Sequence, residues 1–164
     1  MTAVADTTPL NYLILIGASE VLPALFQRVV IPQAVLSELN HLRSPEAVRA
    51  WASKPPGWLE VETVAVVLDA NLAKLDAGER EAILLADQVG ADVLLVDERA
   101  AYRVASQRGL GTMGTLGVLE TASVGGLIDF RAALERLLQT TFHVSDVVLE
   151  PFLERDARRA EDSD

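Results

Sequence analysis

The 164 residues are enough for one compact domain and leave little room for a second. Half of them are hydrophobic, so a sizeable core can form unaided, and the absence of cysteine excludes disulfides and thiolate metal sites. The net charge of -10, from 24 acids against 14 bases, speaks against tight non-specific binding of nucleic acid, which depends on clustered Lys and Arg.

The opening MTAVADTTPLNYL has neither the basic start nor the small-residue cleavage site of a secretory signal. The uncharged stretch from Thr7 to Ser19 contains Pro9 and Asn11. It falls short of the roughly 20 apolar residues that span a bilayer. The expectation is a soluble, cytoplasmic chain with no membrane partner.

In chain order, Ala3 to Asp6 is a short apolar run ending in an acid, which suits a buried strand. Pro9 to Ile16 and Glu20 to Phe26 read as helices, and Val29 to Ile31 as the next strand. Pro32 suits a helix start and leads through Val35, Leu36 and Leu39. A helix from Pro45 to Ser53 is followed by the break Pro55-Pro56-Gly57 and an edge strand from Trp58 to Val61. Gly78 to Val89 reads as a strong helix, and Asp92 to Val96 as a fully buried strand. Helices are expected over Arg99 to Arg108, Leu116 to Val124 and Asp129 to Leu138, with one more after Ser145. Residues 1–154 are expected to form the domain, and the charge-dense 155–164 to fray into solvent.

Short apolar strands alternating with helices predict an α/β fold with a mainly parallel sheet and helices on both faces. Ligands of such sheets bind beyond the carboxyl ends of the strands, which draws attention to acids at those ends. Asp6 and Asp97 each end an apolar run. Alone, such an acid more readily opens a turn or caps the next helix, and Thr7, Thr8 and Pro9 after Asp6 are good capping sequence; two such acids in one small domain bring the two readings level. Glu38 borders the buried stripe of its helix, spaced three from Val35 and four from Leu42. Glu79 shares the stripe of Ile83 and Ala86, but with Asp76 it also spells a capping box, so cap and function stand level. Its neighbour Glu81 falls between the apolar positions and should be solvated.

Scattered carboxylates suit hard divalent cations, which take oxygen ligands. Such cations lower the pKa of a water and clamp charge in phosphodiester hydrolysis. Zinc does not fit, because His41 and His143 lie far apart and flank no ligand pattern.

Four stretches carry a resemblance: Val4-Ala5-Asp6-Thr7-Thr8-Pro9-Leu10, Leu75 to Ile83 (LDAGEREAI), Leu94 to Ala101 (LLVDERAA) and Gly114 to Leu119 (GTLGVL). In this order and spacing they resemble the PIN-domain superfamily, in the VapC-like branch formerly catalogued as a domain of unknown function (DUF3368-type). The resemblance runs from the first strand to about Leu127.

It implies a Rossmann-like three-layer α/β/α sandwich and a magnesium- or manganese-dependent endoribonuclease. It further implies the toxin of a toxin–antitoxin pair, with a small antitoxin protein, RNA substrate and a homodimer as expected partners. The family's acids map onto Asp6, Glu38, Glu79 and Asp97, with Glu98 as an accessory acid and the hydroxyls of Thr7 and Thr115 as site hydrogen-bond donors. Asp6 and Asp97 are then expected to bind the principal cation directly. Glu79 and Glu38 complete the cluster directly or through water, and hydrolysis leaves 3′-hydroxyl and 5′-phosphate ends. Tyr102 departs from the family, since this position is often basic there.

Two other readings compete. In one, an inactive PIN-like domain acts through a partner protein, its acids being caps and solvated faces. In the other, an aspartyl-phosphate phosphatase uses Asp6, but Thr8 stands where such enzymes carry a second aspartate. No glycine-rich phosphate loop follows a strand either.

Overall fold

The computed structural model describes residues 1–163. Five strands form one parallel sheet in the order β3-β2-β1-β4-β5: β1 (Thr2–Ala5), β2 (Arg28–Pro32), β3 (Leu59–Glu62), β4 (Val93–Leu95) and β5 (Thr112–Met113). The strands are short apolar runs because both faces are covered. Alternation along β1 and its neighbours decides which layer each side chain joins. Ala3, Ala5, Val29, Ile31, Val93 and Leu95 enter one core, and Val4, Val30 and Leu94 enter the other.

The first core is closed by α1 (Thr7–Leu15), α2 (Val21–Leu25), α3 (Gln33–Leu39), α4 (Glu46–Ser53), α7 (Thr115–Val124) and α8 (Phe130–Leu138). The second is closed by α5 (Ala77–Val89) and α6 (Arg99–Gln107). The result is the expected α/β/α sandwich. Among the described residues, no helix is long and apolar enough to cross a membrane.

Most expected elements are present with shifted ends. The first helix begins at Thr7 rather than Pro9; Pro9 then occupies its third position, where a missing N–H costs no intrahelical bond. Pro32 and Pro45 cap their helices from outside in extended conformation. β3 does lie at a sheet edge. Two elements were not foreseen: β5 at the opposite edge and a 3-10 turn at Ala70–Leu72. The tail expectation fails. α9 (Asp146–Asp162) carries the helix through the charged segment, where Arg155 pairs with Glu120 of α7 at 2.7 Å and Arg159 reaches the same carboxylate at 3.5 Å.

Sheet order reverses at β1. The chain moves outward from it to β2 and β3, then returns to its other side for β4 and β5. Such a switch point opens a crevice at the carboxyl ends of the two central strands. Asp6 follows β1 directly, and its N–H donates to the Leu95 carbonyl at 2.9 Å.

Candidate metal centre

Asp6 is 2% exposed, and its buried Oδ1 has no hydrogen-bond partner among the described residues. Burial pushes its carboxyl up to about 7; the Thr7 N–H opposes that rise, and Asp76, Glu79 and Glu38 add smaller like-charge repulsions to it. An orphaned buried oxygen is costly in a folded protein, and a bound cation is one way to satisfy it.

Glu38 projects from α3 and is half-buried. Its Oε2 accepts the hydroxyl of Thr7, and its Oε1 accepts the N–H of Gly78 at 3.0 Å. That amide lies in the first turn of α5, whose positive end favours a carboxylate. Gly78 is required by the close approach, because a Cβ there would lie 2.7 Å from Oε1.

Asp76 and Glu79 make a complete capping box. Asp76 Oδ1 accepts the Glu79 N–H at 2.8 Å, and Glu79 Oε2 accepts the Asp76 N–H at 3.1 Å. Capping therefore accounts for one oxygen on each side chain and leaves the other available. Glu79 is 8% exposed. Its carboxyl is raised by burial first, then lowered by the Asp76 amide, with smaller upward contributions from Asp76, Glu98 and Glu38.

Ligand oxygens of Asp6, Glu38 and Asp76 all lie within 4.8 Å of one another. Among the described residues, none of the acids Asp6, Glu38, Asp76, Glu79, Asp97 and Glu98 takes part in an ion pair. The set is all hard oxygen donors with its charge uncompensated, and it fits magnesium or manganese. Both histidines are exposed.

Asp97 sits differently. Its Oδ1 accepts the Thr115 N–H at 2.8 Å and its Oδ2 the Thr115 hydroxyl at 2.6 Å. It thereby caps α7 from the end of the neighbouring strand β4, where the helix's own N-cap, Gly114, has no side chain to do so. Burial raises its carboxyl, and the two Thr115 bonds oppose that rise. The oxygens that converge within 4.8 Å are those of Asp6, Glu38 and Asp76; Asp97 is not one of this set. Glu79 flanks this triad, and Glu98 is exposed just outside α6. Glu81, expected to be solvated, is half-buried and accepts the Ala34 N–H at 3.3 Å.

A family model described as DUF3368, PIN domain, matches residues 2–158. The chain belongs to the PIN-domain family. PIN domains are generally nucleases and generally use divalent metals. In architecture this PIN domain is similar to the solved PilT N-terminus domain protein SSO1118 from the hyperthermophilic archaeon Sulfolobus solfataricus P2, with a TM-score of 0.50. That match covers 88% of this chain and 100% of the other at 16% identity, a level at which the likeness concerns the fold alone. Comparison with curated proteins finds no match.

Sequence reasoning treated Asp76 only as a cap. The missed signal was arithmetic: a capping aspartate spends one oxygen, and this one precedes a helix whose first turn already carries Glu79.

Proposed function

We propose that this PIN domain is a divalent-cation-dependent endoribonuclease, the toxin of a type II toxin–antitoxin pair, working as a homodimer and held in check by a small antitoxin protein. The observation that carries the nuclease reading is buried Asp6, whose Oδ1 has no hydrogen-bond partner among the described residues, converging with Glu38 and Asp76 while none of the three takes part in an ion pair there. Asp6, Glu38 and Asp76 hold Mg2+ or Mn2+, with Glu79 beside them. Thr7 and the Gly78 amide fix the Glu38 carboxylate, and Thr115 fixes that of Asp97. When bound, the cation lowers the pKa of a water and offsets charge on the phosphate oxygens. The acidic surface fits this scheme, because attraction for RNA is then supplied at the cation.

The test pairs manganese titration by calorimetry with cleavage of single-stranded RNA. Asp6→Asn should keep the fold, lose manganese binding and lose cleavage. Asp6→Asn protein that cuts RNA as fast as the parent would overturn the assignment. Growth arrest on expression, relieved by the same substitution, tests the toxin role separately.

A further inference from the structure

Beside Asp97 a groove of about 920 Å³ runs along the free edge of β5, bounded by α6, α7 and α9. The site described above leaves it without a role. Its volume lies within the range of pockets that take a nucleotide-sized ligand.

Three features describe its occupant. Its walls offer flat or soft apolar surface from Tyr102, Met113, Phe142 and Phe152, and Tyr102 is 51% exposed although aromatic. Its floor is a sheet edge: the carbonyls of Gly111 and Met113 accept from Leu94 of β4 and from Val96 just after it, so alternation turns the N–H and C=O of Thr112 outward. Its charge is balanced in a chain of net charge -10, since Arg99 and Arg155 stand against Asp97 and Glu120. Arg155 is already committed to Glu120, whereas Arg99 has no ion pair among the described residues.

We propose that this groove is a nucleobase subsite, seating one base of a single-stranded RNA whose backbone passes Asp97. The inference rests on the nuclease reading for its choice of ligand. The base stacks on Tyr102, its polar edge meets the outward N–H and C=O of Thr112, and Arg99 meets a neighbouring phosphate. Base stacking on aromatic side chains is a common way of holding single strands. A protein helix laid in the groove fits less well, because it leaves the Thr112 backbone groups unpaired under an apolar cover. An extended peptide fits less well too, because β5 is two residues long and offers one outward pair.

The test uses the full chain and an RNA hexanucleotide carrying 2-aminopurine, whose fluorescence is quenched by stacking, with calcium in place of manganese. The parent should quench the probe. Tyr102→Ala should weaken binding about tenfold. Thr121→Trp, an exposed groove residue replaced by a bulky plug, should abolish quenching while circular dichroism shows an intact fold. Failure of the parent to quench, or quenching unchanged in both variants, overturns the subsite, including the case in which the groove takes a protein helix instead. Quenching that is lost in the variants while the parent cuts no RNA in manganese sustains the subsite and sinks the nuclease reading alone.

Discussion

Gly78 and Glu38 meet across the crevice, 40 residues apart in sequence, with the glycine amide donating to the carboxylate at 3.0 Å. A Cβ on residue 78 would fall 2.5 Å from Oε2, so the helix start and the acid can share this space only because the side chain is missing. Gly78→Ala should therefore displace the carboxylate, the mobile end of a flexible side chain, rather than the backbone. The expected outcome is weaker manganese binding with little change in thermal stability. Alanine is also the better helix former, by about 1 kcal/mol in helix interiors. Unchanged manganese affinity in Gly78→Ala would mean that Glu38 is not a ligand.

Asp6 links stability to pH. Its folded carboxyl is raised to about 7 from an ordinary 3.8. The unfolded chain therefore releases this proton first, so the metal-free protein is most stable at or below about pH 4 with respect to this group. That contribution is lost as pH rises through about 7, on the order of 4 kcal/mol in all. Glu79 and Asp97 are raised as well and act in the same direction. Urea melts in EDTA should show midpoints falling between pH 5 and pH 8, and manganese should restore them at the upper end. A flat profile, or the same fall in Asp6→Asn, would refute the link.

Thr115 tests whether Asp97 is held by design of the helix end. The residue is fully buried, and its hydroxyl and amide take both carboxylate oxygens. Thr115→Val keeps the shape and removes the hydroxyl, at a cost of about 2 kcal/mol because the acceptor is charged. Thr115→Ser should recover most of it. The Asp97 carboxyl, losing a bond that lowers it, should titrate higher still in the valine variant, as carbon-13 NMR of the carboxyl would read.

Buried strands such as Val29 to Ile31 and Val93 to Leu95 were legible because a sheet covered on both faces demands unbroken apolar runs. The acids at strand ends were legible for a related reason, since a parallel sheet sends the chain to one edge. Thr112 and Met113 were not, because two residues carry no periodicity. The helix beyond residue 154 escaped because what steadies it, Glu120, lies 35 residues before Arg155, and no local pattern announces such a pair. Asp6 and Glu38 were legible as acids that could converge, whereas Asp76, whose oxygen lies with theirs, read only as a cap. Asp97 was legible from its place after a strand, and it also takes the N-terminus of α7.

Asp76 is the residue in which cap and ligand can be separated. Its Oδ1 holds the first turn of α5, and one of its oxygens lies within 4.8 Å of those of Asp6 and Glu38. Asparagine caps helices about as well as aspartate, so Asp76→Asn should leave α5 in place. The charge it removes is worth on the order of 2–8 kcal/mol to a divalent cation 4 Å away, so manganese binding should fall tenfold or more. Asp76→Ala should lose that affinity and also about 1 kcal/mol of stability, because the cap goes with the charge. Calorimetry and urea melts on the two variants give a two-by-two comparison. If asparagine kept full manganese affinity, the triad would be a helix cap that happens to lie near two acids, and the cation would have to be sought around Asp6 and Glu79.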